Sequence, residues 1–507
     1  MELRDRTVLV LGLGLSGKAM ARWCARAGAR VRCADSRTAP PALDALRAEL
    51  PGIDLRLGAP QPQLLDGVQL VCVSPGIAPH DPGFGPLLDA ARARGVDIVG
   101  ELGLFSAALR ELQQRDGYLP AVLAITGTNG KTTVTALTCH LLCAAGVDAV
   151  AAGNIAPAML DALRERLDGA RLPQAWVLEL SSFQLHDARD FAATAATVLN
   201  ITQDHLDWHG SVAAYAADKA RIFGPEPWQL AQPAGLMLLN RDDPQVLAMR
   251  RAGRRAMTFG LDAPAQAGDW GVVIEHGMAW LARAVAGAAA DAAPARPRRG
   301  APPAPSEPPR LQPLMPADAL RIHGRHNWAN ALAALALAGS AGAALAPMLH
   351  ALRDWRGEPH RMQSLGVLDG VEWIEDSKGT NVGATVAALQ GIDRDVVLIA
   401  GGDGKGQDFA PLAAAARGRV RCALLIGRDA PALQEALDGV CAHERCVSLE
   451  HAVQRAADLA RSGDVVLMSP ACASLDMFRD YKQRADVFVA ALHEVAAQRG
   501  VQMEGEA

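Results

Sequence analysis

The chain has 507 residues, half of them hydrophobic, with 50 basic and 55 acidic side chains and a net charge of −5. That length suits about three domains with cores of their own, and that charge excludes a global positive field recruiting nucleic acid or an anionic membrane. Nine scattered cysteines without a CxxC pair fit a reduced, cytoplasmic chain better than a disulfide-built one.

The opening MELRDRTVLVLGLGLSG sets charge before an apolar run, but that run is about seven residues long and broken by glycine, which predicts a first strand instead of a secretory signal. Gly12, Gly14 and Gly17 follow in GxGxxG spacing, and VRCAD ends a second strand at Asp35. Amides of such a turn, with the helix behind it, hold phosphate. Three readings stay open: a nicotinamide or flavin dinucleotide with Asp35 on its ribose, another diphosphate-linked ligand, or a tight structural turn. A further strand, VQLVCVSPG, delivers Ser74, Pro75 and Gly76 toward the same crevice. This block runs over residues 1–99.

A second block, residues 100–358, contains AVLAITGTNGKTTVTAL, a strand, a glycine loop and a helix. Loop amides would cradle phosphates, Lys131 would reach the outer ones, and Thr132 would ligate magnesium. Ile125 stands where the common GxxxxGK[ST] form has its first glycine, so the loop is a shorter variant. A nucleoside triphosphate thereby displaces the dehydrogenase reading. Downstream, LELSSFQL puts Glu179 at a strand end, and LNITQDHLDWHGSVAAYAADKARIF brings Asp204, His205, Asp207, His209 and Lys219 after another strand. Ligands gather at such strand ends, and a carboxylate with an imidazole there can hold magnesium against a triphosphate.

Residues 282–318 are rich in Ala, Pro and Arg and offer too little burial to offset ordering entropy, which predicts a mobile surface insertion or, alternatively, a proline-rich partner motif. Ala329 to Met348 is alanine-dominated and split by Gly339, Ser340 and Gly342, as for a buried helix, a turn and a second helix, not a bilayer span. The third block, residues 359–507, repeats the alternation of apolar strands with alanine-rich helices. The whole reads as α/β, with parallel sheets covered by helices on both faces.

Only six of the fifty basic residues are lysine, at positions 18, 131, 219, 378, 405 and 482. Lysine offers a compact amine that can be neutral, which guanidinium cannot. These six positions therefore mark candidate chemistry.

TGTNGKTT, GNIA, LELSSFQL, NITQDHLDWH, GRHNWANALAA, PHRM, EDSKGTN, GGDGKG and SPACASLDMF together resemble a family, the ATP-dependent Mur ligases of bacterial cell-wall synthesis, relatives of folylpolyglutamate synthase. The resemblance spans nearly the whole chain. It implies a Rossmann-like N-terminal domain, a central P-loop-type ATPase domain and a Rossmann-like C-terminal domain. The implied activity is that of an ATP-dependent acid–D-amino-acid ligase, adding D-glutamate to UDP-N-acetylmuramoyl-L-alanine through an acyl phosphate.

By the same resemblance, Leu15, Ser16, Asp35, Ser36, Arg37, Ser74, Pro75, Gly76 and Asn154 would bind the UDP-linked substrate. Gly127, Thr128, Asn129, Gly130, Lys131, Thr132 and Thr133, with Asn327, Asn330, Arg361 and Asp376, would bind ATP. Lys378, Thr380, Lys405, Ser474, Leu475 and Tyr481 would surround D-glutamate. Thr132, Glu179, His205 and a carbamylated Lys219 would hold two magnesium ions, and Lys131, Glu179, His205 and Lys219 would be catalytic. His205 could equally orient reacting groups. A monomer without nucleic-acid or membrane partners is expected. Alternatives are a sibling ligase using a different amino acid, a nucleotide-gated binding protein and a dinucleotide-dependent oxidoreductase.

Overall fold

The computed structural model describes residues 1–224, 235–287, 308–322 and 324–505. Its strands fall into three sheets that follow one another along the chain. The first contains β1 (Thr7–Leu11), β2 (Arg30–Asp35), β3 (Asp54–Leu57), β4 (Leu70–Val73) and β5 (Asp97–Val99), in order β3-β2-β1-β4-β5 and wholly parallel. Its order reverses between β1 and β4, so the turns after those strands open a crevice at their carboxyl ends.

The central sheet has nine strands: β6 (Ala121–Thr126), β7 (Ala149–Gly153), β8 (Ala175–Glu179), β9 (Ala195–Val198), β10 (Leu236–Asn240), β11 (Ala256–Phe259), β12 (Trp270–Glu275), β13 (Met278–Val285) and β14 (Arg310–Pro316). Their order is β14-β13-β12-β11-β10-β9-β6-β8-β7. The strands from β6 to β12 run parallel, whereas β12, β13 and β14 pair antiparallel. β6 lies between β8 and β9 and feeds the glycine loop, which places Glu179 and the segment after β9 on either side of that loop.

This sheet corrects the expectation of one continuous insertion over residues 282–318. Its ends are strand: Ala282 pairs with Pro313 and Val285 with Arg310, and Leu281, Ala282 and Ala284 are buried. Alternating small apolar side chains suffice once a neighbouring strand takes the backbone groups. Residues 288–307, where the expected mobility or partner motif would lie, fall outside the described residues. The alanine-rich stretch forms helices Arg325–Ser340 and Leu345–Asp354, the first packed on the helix Lys131–Ala144 behind the glycine loop.

The third sheet, β15 (Gln363–Leu368), β16 (Val371–Glu375), β17 (Val396–Gly401), β18 (Val420–Ile426), β19 (Ala442–Arg445) and β20 (Val465–Met468), has order β15-β16-β20-β17-β18-β19. It is parallel except for the β15–β16 hairpin. The first two sheets are not independent bodies. Helix Glu101–Asp116 places Leu104, Phe105 and Leu112 in one buried cluster that joins Val8, Met20 and Cys24 of the first unit to Met159, Trp176 and Leu178 of the second. Arg22 adds an ion pair to Asp161 at 3.1 Å across that seam. Apolar burial therefore holds the N-terminal crevice against the central sheet.

Candidate active site

The loop after β6 is shaped by two glycines with positive φ, Gly127 at 156° and Gly130 at 82°. It is braced from the segment after β9. The Asn129 amide donates to Asn200 Oδ1 at 2.8 Å, Asn200 Nδ2 returns a bond to the Asn129 carbonyl, and the Thr128 amide donates to the Asn200 carbonyl. Two lysines converge on one carbonyl: Lys131 Nζ and Lys219 Nζ each donate to Gly127 O at 2.9 Å. Lys219 is 1 % exposed and lies 4.6 Å from the centre of the Tyr215 ring. Burial, then the neighbouring Lys131 charge, pushes the Lys219 amine well below the ordinary lysine range, and burial also lowers Lys131. The pair favours a neutral amine at Lys219.

A methyl group at Gly130 would stand 2.7 Å from Asn330 Oδ1 on a left-handed backbone. Gly130→Ala is expected to weaken ATP binding about tenfold or more, since αL geometry alone costs roughly 1–2 kcal/mol. Calorimetric titration with ATP checks this.

At the end of β8, Glu179 is 2 % exposed. Its Oε1 accepts a bond from Asn154 Nδ2 at 2.8 Å, while Oε2 is buried without a partner. His205 sits at φ 54° with its ring 4.7 Å from that of Phe183. Burial holds its pKa down to about 4; Asp204 opposes this, and Lys405, Lys131 and Lys219 reinforce it. A neutral imidazole is the ligating form. Among the described residues no three His, Cys, Asp or Glu side chains gather into a ready cage. Magnesium suits such a place, because it takes one or two carboxylates and completes its shell with phosphate oxygens and water. The unpartnered Glu179 oxygen fits that ion.

All nine residues expected to hold the UDP-linked substrate line one crevice of about 520 Å³, between the first sheet and the Gly153–Ala158 segment of the second. Asp35 is not a free ribose acceptor there. Its oxygens take the Leu13 amide at 2.7 Å and three bonds from Arg37, two of them from the guanidinium at 2.8 Å. Burial would raise its pKa, but these bonds outweigh it and hold the carboxylate ionised. Asp35 thus holds a half-exposed Arg37 at the crevice, and the dinucleotide reading loses its acceptor. Gly17 packs so closely that a methyl group would fall 1.8 Å from Gly12 O. Packing alone therefore requires a glycine at position 17.

A second cavity, about 310 Å³, opens between the central and C-terminal units. It brings together Asn129, Gly130, Thr133, Asn327, Asn330, Arg361 and Asp376, all expected around ATP, and adds Asn200, Asn240, Phe259 and His326. Asn240 and Phe259 end two strands and carry no local signature, whereas Asn200, after β9, and His326, on the helix Arg325–Ser340, stood inside the motifs NITQDHLDWH and GRHNWANALAA. Burial lifts Asp376 to about 6 against its bonds from Ser469 and the Met362 amide and the nearby Arg361 charge.

Lys378 reaches farther than its expected place beside an amino acid. Its Nζ donates to Thr132 Oγ1 at 3.0 Å, where Arg361 also approaches at 3.5 Å, and it lies 5.7 Å from the Tyr481 ring. Burial, then Arg361, lowers it to about 8. Asn381 and Asn129 exchange two amide bonds, at 3.0 and 3.2 Å, across the same gap. Sequence reasoning missed Arg484, 1 % exposed, which donates to Ser377 O and Cys472 O and so ties the loops carrying Lys378, Thr380 and Ser474. Ser474 is buried, whereas Leu475 and Lys405 face solvent.

Known proteins match this arrangement from end to end. A Mur ligase MurD-like N-terminal domain model matches residues 6–100, a Mur ligase middle domain model residues 125–278, and a Mur ligase, glutamate ligase domain model residues 360–472. UDP-N-acetylmuramoylalanine–D-glutamate ligase from Burkholderia pseudomallei is 55% identical over 97% of this chain and 98% of its own. The chain belongs to the Mur ligase family. Two solved Mur ligases share the fold. MurF from Thermotoga maritima in complex with ADP has a TM-score of 0.56 at 14% identity, covering 98% of this chain and 99% of that one. UDP-N-acetylmuramate-alanine ligase MurC from the same organism has a TM-score of 0.53 at 18% identity, covering 96% and 99%. In this Mur ligase the phosphate loop lies in the middle domain, while Lys378 and Lys405 belong to the glutamate ligase domain.

Proposed function

We propose that this Mur ligase joins D-glutamate to UDP-N-acetylmuramoyl-L-alanine in peptidoglycan precursor synthesis, converting ATP to ADP and phosphate. The Lys378–Thr132 contact carries the reading, since it brings the glutamate ligase domain onto the phosphate loop. The name of the 55% identical relative supports the amino acid. Among the described residues no helix is long and apolar enough to cross a membrane. A cytoplasmic monomer is the arrangement we assign.

An alanine carboxylate is a poor electrophile. One of its oxygens attacks the γ-phosphorus of ATP, the bond to the β-phosphate oxygen breaks, and ADP leaves behind an acyl phosphate. Lys131 and the loop amides stabilise the charge gathering on the phosphoryl oxygens. The D-glutamate amine then attacks the acyl carbon, loses a proton to solvent, and the carbon–oxygen bond to phosphate breaks. Thr132, Glu179, His205 and Lys219 would hold magnesium, which when bound neutralises phosphate charge. Lys219 would serve as its carbamate, formed when the neutral amine adds carbon dioxide and releases a proton. Arg37 would hold the diphosphate of the substrate, and the Asn129–Asn381 pair would keep the two domains closed while water is excluded.

Phosphate release from ATP, magnesium and UDP-N-acetylmuramoyl-L-alanine, with each amino acid in turn, tests the assignment. D-glutamate is expected to stimulate release; stimulation by another amino acid alone would make this chain a sibling ligase.

A further inference from the structure

Three residues that the mechanism leaves without a task form one chain of hydrogen bonds. His209 donates through Nδ1 to Asp218 Oδ2 at 3.1 Å, and its Nε2 meets Ser182 Oγ at 2.9 Å. In the neutral ring, an Nδ1 proton committed to the carboxylate leaves Nε2 to accept from the serine hydroxyl. The ring is 1 % exposed. Phe183 stacks on it at 5.5 Å and 15°, and Trp208 and Tyr215 close its other sides at 4.4 and 5.2 Å. Asp218 also binds His186 Nδ1 at 2.9 Å and Arg221 at 3.2 Å. The order serine, histidine, aspartate would suit a nucleophile, but Ser182 is 2 % exposed, so no substrate carbonyl reaches it.

Position along the chain explains the network. Ser182 follows Glu179 by three residues, His209 follows His205 by four on the short helix Leu206–His209, and Asp218 directly precedes Lys219. Each arm of the candidate cation site is therefore rooted beside one member of the chain. Tyr215, against the His209 ring, donates to Thr128 Oγ1 at 3.1 Å and lies under Lys219, which extends the bracing to the phosphate loop.

We propose that Ser182, His209 and Asp218 act as one positioning unit that sets Glu179, His205 and Lys219 relative to one another. The inference rests on the assignment of those three to the cation and carbamate site. A hydrogen-bonded imidazole buried among aromatic rings is stiff, and displacement of reacting groups by about 1 Å can cost on the order of a hundredfold in rate.

The test uses Ser182→Ala, Asp218→Asn, His209→Ala and the conservative His209→Asn, which keeps a donor near the Nδ1 position, each checked for folding by circular dichroism. Full-length protein is titrated with 13C-labelled bicarbonate, and the lysine carbamate resonance is followed by NMR. His209→Ala and Asp218→Asn are expected to need about tenfold more bicarbonate for half-saturation, with kcat lowered about tenfold or more and KM for ATP and D-glutamate within about twofold of wild type. His209→Asn should fall between His209→Ala and wild type. Ser182→Ala removes one hydroxyl and keeps the proposal testable should the larger changes unfold the protein. Wild-type half-saturation and kcat in the folded variants would overturn it. If wild-type protein itself shows no carbamate resonance, the carbamate assignment has failed, and Mn2+ affinity in the presence of ATP, read by electron paramagnetic resonance, decides the positioning role. Weaker Mn2+ binding in the variants supports it, and unchanged binding or none in the wild type overturns it.

Discussion

Lys219→Arg is expected to lose about a hundredfold to a thousandfold in kcat while keeping its positive charge, a magnitude typical of deleting a group that stabilises transition-state charge. The reason lies in the site it occupies. A 1 % exposed amine whose ammonium form is penalised by burial and by Lys131 is prepared to be neutral, and only a neutral amine can add carbon dioxide. Guanidinium stays protonated and cannot make that bond. It is also bulkier than the amine, which already sits 3.2 Å from Thr126 Oγ1, 2.9 Å from Gly127 O and 4.6 Å from the centre of the Tyr215 ring. Steady-state turnover together with the melting temperature separates lost chemistry from lost folding. Turnover near wild type would remove the carbamate from the mechanism.

The second large effect is expected at Lys131. Lys131→Met should lower kcat by about a hundredfold to a thousandfold, because in the proposed mechanism the amine that now rests on Gly127 O and Thr128 O supplies the loop's charge for the outer phosphates. Those carbonyl bonds hold Lys131 in reach, and among the described residues no carboxylate pairs with it, so turning toward a phosphate gives up little. ATP affinity should fall far less than kcat, since the loop amides and the cavity around Asn327 and Asn330 remain. Equal losses in affinity and kcat would place Lys131 in ground-state binding instead.

The phosphate loop was legible in sequence because its chemistry is contiguous: TGTNGKTT encodes the turn, the lysine and the helix start together. Strand ends in a parallel sheet collect ligands, which drew attention to Glu179 and to the segment holding His205, whereas the resemblance to the Mur ligases singled out Glu179, His205 and, on the helix Val212–Ala220, Lys219. The bracing behind them was not legible. His209 and Asp218 stood within one quoted motif, but their partner Ser182 lies on another strand-end segment, and only the folded sheet places all three in contact. Arg484 was hidden for a different reason, since an arginine just past Tyr481 reads as an ordinary surface charge until its burial reveals it. The hairpin strand β14 was lost inside an alanine- and proline-rich stretch, whose composition suggests disorder until β13 supplies hydrogen bonds. Helix Glu101–Asp116, which gives the first two units a common core, showed only an ordinary amphipathic pattern. Of the six lysines that the bias marked, Lys131 and Lys219 share one carbonyl and Lys378 meets Thr132 of the phosphate loop, whereas Lys405 and Lys482 are exposed.

Acyl-phosphate ligation of D-glutamate is tested most directly with substrate carrying 18O in its alanine carboxylate. During a single turnover with ATP and D-glutamate, mass spectrometry of the released phosphate should find one 18O, because the carboxylate oxygen that attacked phosphorus leaves with it. Amide product accompanied by unlabelled phosphate would contradict the mechanism.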